Sequence, residues 1–256
     1  KETDGLLSAE VLEAPGSLAE RTPAAGSQVV LAVVQGASTP VSTAIRQQAS
    51  YALFRGNAAE RTGIAGLEAI DEVTLLACPD AVAGFKAGVF SQDDVKQIQT
   101  DMINHCEAMK DRFAILDTPY GIGVDEAISW RKDKMGFDSK YAALYYPWVR
   151  INGELVPPSG LVAGVYARVD NLRGVHKAPA NEIVMGAIGL ERNISRNEQD
   201  FLNPIGVNCI RSFPGQGIRI WGARTLSSDA RWRYINVRRF FSSVEESILE
   251  GTNSIV

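Results

Sequence analysis

The chain has 256 residues, 45% of them hydrophobic and 22% charged, with a formal net charge of -4. That balance supports a packed core and excludes a chain that is disordered by composition, and the length suits one large domain or two modest ones. The longest apolar run, VVLAVV at 29–34, falls far short of the ~20 residues needed to cross a bilayer, and no secretion signal with a basic start and an apolar core opens the chain.

A lysine at position 1 places the expected N-terminus further upstream. The first clear strand is 73–77, halted by Pro79. Ser91 followed by Asp94 forms a capping-box signal, and Val95, Ile98, Met102, Cys106 and Met109 continue from it at spacings of three and four, the stripe of an amphipathic helix. A second strand at 113–116 ends at Asp117-Thr118-Pro119. Strand, helix and strand in this order make a crossover unit, which builds parallel sheet covered on both faces.

Further along, 142–148 is a dense apolar and aromatic strand. Pro157-Pro158-Ser159 opens a helix with Leu161, Val162, Val165, Tyr166 and Val169 on one face and Gly174 at its end. Gly160 and Gly164 predict close approach of that helix to a neighbour. The character changes near Gly189. Ser195 and Glu198 cap a short helix, 207–212 and 218–224 flank the turn FPGQG as a hairpin, and a last helix starts near Phe240. The expected organisation is an N-terminal segment (1–26), an α/β core domain with a largely parallel sheet flanked by helices (27–191), and a second, mixed α+β domain (192–256).

Charge is uneven. Residues 1–128 hold 9 basic and 18 acidic residues, a net of -9, whereas 129–256 hold 17 basic and 12 acidic, a net of +5. Opposite halves suit head-to-tail contact between copies, although solvated charges alone produce the same count. Between residues 211 and 239 lie Arg211, Arg219, Arg224, Arg231, Arg233, Arg238 and Arg239 against one acid, Asp229, and no lysine. Guanidinium groups fork onto carboxylates and stack on rings, so with Trp232 they are the candidate residues of a protein-contact surface. An arginine and aromatic nucleic-acid-binding module is the alternative reading. The acidic overall balance and the inward-facing half of any strand argue against it.

SFPGQGIRIWGARTLSS followed by WRYINVRRFF, with YAALYYPWVRI, PPSGLVAGVYARVDNLRGVHKAPAN and LEAIDEVTLLACPD upstream, resembles the sheath protein of contractile phage tails and related bacterial contractile injection systems. The resemblance runs in order from about Leu67 to the end, and 1–66 match only loosely. It implies a subtilisin-like α/β core, an incomplete C-terminal domain and a subunit truncated at both ends. It implies a structural protein that stacks as hexameric rings around an inner tube and contracts to drive the tube through a target envelope. The implied partners are other sheath subunits, the inner tube protein, and baseplate and terminator proteins, with no nucleic acid and no membrane insertion. The implied setting is a virion tail or an extracellular or cytoplasmic contractile particle, made in a bacterial cytoplasm. Phage tail, bacteriocin and injection-system sheaths share these motifs.

The residues themselves assign no chemistry. There is no phosphate loop, and Gly121-Ile122-Gly123 and Gly215-Gln216-Gly217 are too sparse for a dinucleotide fingerprint. His105 and His176 stand alone, without converging metal ligands. Asp117 sits where a catalytic acid could lie, yet no serine occupies a nucleophile elbow, so no catalytic, cofactor or metal residue is expected. Cys78, Cys106 and Cys209 are odd in number, widely spaced and set among apolar residues, as reduced core thiols would be.

Overall fold

The computed structural model describes residues 51–253. The expectations for 1–26, for 27–50 and for the apolar run at 29–34 lie outside the described residues.

After a short helix α1 (Tyr51–Arg55), strand β1 (Leu75–Ala77) leads through α2 (Pro79–Lys86) into α3 (Gln92–Met109). The Ser91 hydroxyl accepts from the Asp94 amide at 3.2 Å, and the Asp94 carboxylate accepts from the Ser91 amide at 2.8 Å, so the reciprocal cap forms where the sequence predicts it. Strand β2 (Phe113–Asp117) follows, then helix α4 (Val124–Ser129) and strand β3 (Ala142–Tyr146). All five residues of β2 and all five of β3 are buried, as central strands covered on both faces require.

The period of two sorts these strands into two cores. Ala114, Leu116, Ala142, Leu144 and Tyr146 pack with Val95, Ile98, Met102 and Cys106 of α3. Phe113, Ile115, Ala143 and Tyr145 pack on the other side with Val162, Val165, Tyr166 and Val169 of α5 (Ser159–Arg173). The architecture is therefore α/β, a sheet between helical layers.

The strand expected at 142–148 ends at Tyr146, because Pro147 has no amide to donate to the ladder. The chain then turns into a second, three-stranded antiparallel sheet of β4 (Val149–Ile151), β5 (Glu154–Val156) and β7 (Gly189–Leu190). After α6 (Arg196–Leu202), strands β8 (Val207–Phe213) and β9 (Gly217–Ile220) form the expected hairpin, with Gly215 and Gly217 in the left-handed region at φ 72° and 79°. The six-stranded sheet has the order β1-β2-β3-β8-β9-β6, where β6 is Glu182–Ile183. Its first four strands are parallel, and β9 and β6 are antiparallel, so the sheet is mixed.

β8 hydrogen-bonds to β3 along 207–209, so the expected change of domain near residue 192 does not interrupt this sheet. Two expectations change. Open space surrounds the Cβ positions of Gly160 and Gly164, so neither marks a close approach. The last helix, α7 (Ile235–Asn253), starts five residues before Phe240, because Ile235, Arg238, Arg239 and Ser242 bury at helical spacing of three and four.

Candidate functional site

The segment 211–239 folds as the β8–β9 hairpin, a connector running beside the sheet end, and the first turns of α7. Its seven arginines do very different things.

Arg211 donates from Nε to the Ile194 carbonyl and from Nη1 to Gln199 Oε1, both at 2.9 Å, and lies 5.1 Å from the Phe213 ring centroid. Arg219 donates to the carbonyls of Gln216 (3.1 Å) and Asn181 (2.9 Å). These two brace loops against the hairpin. Arg231 is exposed and pairs with Asp229 two residues back, at 2.8 Å. Arg224 and Arg233 are half-buried, and neither forms an ion pair among the described residues; Arg224 sits 6.0 Å from the Tyr234 ring centroid.

Arg238 and Arg239 are turned into the fold, with 2% and 7% of their surface exposed. Successive helical residues point about 100° apart, so the two diverge. Arg239 takes the carboxylate of Asp170 on α5 and stacks on Tyr166. Arg238 reaches Glu245 Oε2 at 2.9 Å and lies over the rings of Trp232 (4.5 Å) and Tyr141 (5.0 Å). Trp232 also has the Lys140 ammonium at 4.6 Å from its ring and Phe241 edge-on at 5.4 Å. The expectation that Arg238 and Arg239 form an outward contact is therefore corrected: buried guanidinium groups with carboxylate and aromatic partners are internal ties.

Three positions escaped sequence reasoning. Arg131 donates to the carbonyls of Ile205 (2.9 Å), Phe137 (2.7 Å) and Leu226 (2.8 Å), fastening the turn beyond α4 to the arginine segment. Asn208 on β8 accepts from the Arg224 amide at 2.7 Å and donates to the Arg224 carbonyl at 2.7 Å and the Leu144 carbonyl at 3.3 Å. Arg112, fully buried, donates to the Leu67 and Ile70 carbonyls at 2.7 Å. None carries a local signal, since each has at least one partner more than forty residues away: Leu226 for Arg131, Leu144 for Asn208, and Leu67 and Ile70 for Arg112.

The groups tested for catalysis are each engaged with other partners. Burial and the neighbouring Arg112 guanidinium hold the His105 ring below its ordinary pKa, and Arg112 Nη1 donates to its Nε2 at 3.0 Å. The Asp117 carboxylate accepts from the Ser159 amide at the start of α5 at 2.7 Å, and burial pushes it up to about 7. The His176 carbonyl accepts from Asn236. Burial also pushes the Cys106 and Cys209 thiols up to about 12, far from the thiolate form that nucleophilic or metal chemistry needs. Among the described residues no group of three or more His, Cys, Asp or Glu side chains could hold a metal ion, and no helix is long and apolar enough to cross a membrane.

Comparison with known proteins gives a consistent picture. The family model described as phage tail sheath protein central domain matches residues 64–226. The tail sheath protein of Burkholderia phage BcepMu is 30% identical over 150 residues, covering 52% of this chain and 31% of that protein. The sheath complex of the extracellular contractile injection system PVC in its contracted state superposes with a TM-score of 0.61 at 32% identity, over 75% of this chain and 52% of that one. The helical sheath of the anti-feeding prophage in its contracted state gives 0.58 at 31% identity, over 78% and 54%. This chain spans about a third of the phage relative and about half of each solved sheath chain.

Proposed function

Because this chain belongs to the phage tail sheath protein family, we propose that it is a subunit of a contractile sheath. In this reading it polymerises as stacked hexameric rings around an inner tube and contracts to drive the tube through a target envelope. The match of residues 64–226 to the sheath central domain carries the reading. Other copies of the chain, the inner tube protein, and baseplate and terminator proteins are its partners. The particle is a phage tail or an extracellular contractile device, with the subunit made in the bacterial cytoplasm, and the sheet keeps the subtilisin-like topology implied by resemblance.

The physics of the fold supports such a role. A contracting polymer needs subunits that move as rigid bodies while the contacts between them switch between two arrangements. Two packed cores on opposite faces of one sheet, with Arg131 fastening a connector and Arg239 fastening the last helix to α5, make a stiff unit. The reading assigns the chain no catalytic role and no cofactor. Within the arginine segment, the side chains left for contacts with neighbours are Arg231, Arg224 and Arg233. The nucleic-acid alternative loses support because Arg238 and Arg239 are occupied internally and Trp232 already carries the Arg238 and Lys140 cations and the Phe241 ring.

Electron microscopy of the gene product carrying this chain, expressed with its inner tube protein, tests the proposal. Striated tubes are expected. Soluble, unassembled protein with tubes left bare would overturn it.

A further inference from the structure

A cleft of about 400 Å³ opens where residues 131–138, the turn at 204–206 and residues 224–233 meet. Its charged lining is Arg131, Lys132, Asp138, Arg224 and Arg233. Arg131 is a wall rather than a ligand group, since Nε, Nη1 and Nη2 each donate to a backbone carbonyl. Asp138 is also occupied. It accepts from the Ser228 amide at 2.9 Å and makes a short hydrogen bond with the Ser228 hydroxyl, which together hold its carboxyl below the usual range. Lys132, Arg224 and Arg233 make no ion pair with any described residue. Three cations thus share a concave site whose single acid is already bonded elsewhere, which is the arrangement that recognises carboxylates.

The complementary charge lies on the same chain. Glu246 lines a small cavity with Asp170, Arg239 and Asp111, and of these acids Asp111 is already paired with Arg112 at 2.9 Å and Asp170 with Arg239. Burial, and then repulsion from Asp111, Glu250 and Asp71, raise the Glu246 carboxyl. This acidic group sits towards the far end of α7. Glu246 is eleven residues beyond Ile235, roughly 16 Å along the helix at 1.5 Å per residue, and neither it nor Glu250 lines the cleft. The cleft and these acids are therefore separate surfaces of one copy, and a second copy can bring one to the other.

We infer that the Lys132, Arg224 and Arg233 cleft of one copy receives the Glu246 and Glu250 carboxylates of another. The patches are different surfaces, so the contact is heterologous, and repeating it generates a ring or an open helix rather than a closed pair. That last step rests on the sheath reading; the pairing of cleft with carboxylates does not. Because the contact is charge-driven and partly exposed, salt weakens it, and it can be exchanged for another arrangement without unfolding either subunit.

Charge swapping tests the inference. Sedimentation of the chain at low and high salt measures its self-association constant, with circular dichroism as the folding control. Lys132→Glu and Glu250→Lys are the primary variants, because both positions are exposed and neither change threatens the core. Arg224→Glu with Arg233→Glu is the stronger form. Each one-sided reversal is expected to weaken association about tenfold, the sum of a few exposed pairs. Combining Lys132→Glu with Glu250→Lys is expected to restore it in part, since the two reversed positions again attract each other. Absence of salt-sensitive association in the wild type, or failure of the combined variant to recover, would overturn the inference. Normal striated tubes from the cleft variants would also overturn it while leaving the sheath reading intact. Salt-sensitive, swappable association without tubes would do the reverse. Loss of binding to the inner tube with self-association unchanged would give the cleft to that partner and reject a second copy.

Discussion

Arg239 forks onto Asp170, its Nη1 and Nη2 lying 3.0 and 2.5 Å from the two carboxylate oxygens, while its guanidinium stacks 4.9 Å from the Tyr166 ring centroid. Tyr166 and Asp170 are four residues apart on α5 and so share a face. One side chain of α7 is thereby pinned at two points to the helix that covers the sheet. Tyr166 is also hydrogen-bonded to Tyr145 of β3 at 2.6 Å, which extends the tie from α7 through α5 into the central sheet.

Removing that tie should unfold rather than merely disassemble. Arg239→Ala leaves Asp170 without its partner, and breaking a largely buried pair costs roughly 3 kcal/mol or more. The urea midpoint is expected to fall accordingly, and Arg239→Glu to lose the far-ultraviolet dichroism of the fold. A reversed variant with an unchanged midpoint would show that α7 is held by its apolar contacts alone.

Asn208 of β8 joins β3 and the connector after β9 with one amide, bridging the Leu144 carbonyl and both backbone polar groups of Arg224. Asn208→Ala orphans a buried amide and carbonyl at Arg224, a loss of about 2–3 kcal/mol by the cost of unsatisfied groups. Gly222→Ala should behave similarly, because its added Cβ would stand 2.7 Å from Asn208 Oδ1 and 3.0 Å from Asn208 Cα. Chemical denaturation of both variants checks this, and wild-type stability in either would remove Asn208 from the account.

The crossover units were legible because their periods are clean: β2 alternates between two cores, and α3 repeats its apolar stripe under an intact cap. The end of the chain was harder to read. WRYINVRRFF has aromatic and β-branched residues that suit a strand, and only burial of Ile235, Arg238, Arg239 and Ser242 sets the helical period. Arginine looks like a surface residue in any linear reading. Its partner here, Asp170, lies 69 residues away, so the sequence supplies the fork but not what it grips. The composition change near residue 192 is real, yet β8 still pairs with β3, since pairing depends on the sheet edge that β3 offers and not on local composition.

Arg231 marks the opposite limit among the seven arginines. Its side chain is 83% exposed and its partner Asp229 is two residues away, so water and salt screen the pair. Arg231→Ala is expected to leave the unfolding midpoint unchanged at both low and high salt. A marked loss of stability in the isolated chain would mean that this pair fixes the connector before α7.

Asp117 should give stability a pH dependence of a definite sign. Burial raises its carboxyl to about 7, with the hydrogen bond from the Ser159 amide opposing that rise. In the unfolded chain the same group titrates near 3.9. Between about pH 4 and 7 the folded state therefore keeps a proton that the unfolded state has released, and stability falls as pH rises through this window. The contribution is present in full below about pH 4 and gone above about pH 7, with a ceiling of about 4 kcal/mol. Asp138, Glu198 and Asp229, whose carboxyls are depressed by hydrogen bonds, act in the opposite direction at lower pH, so the raw curve mixes both signs. The difference between wild type and Asp117→Asn isolates the site, because asparagine keeps an oxygen for the Ser159 amide and cannot ionise. Urea unfolding from pH 4 to 8 is expected to show Asp117→Asn gaining on the wild type as pH rises, then running parallel above about pH 7. Parallel curves throughout would mean that Asp117 titrates normally and that the start of α5 stabilises its charge despite the burial.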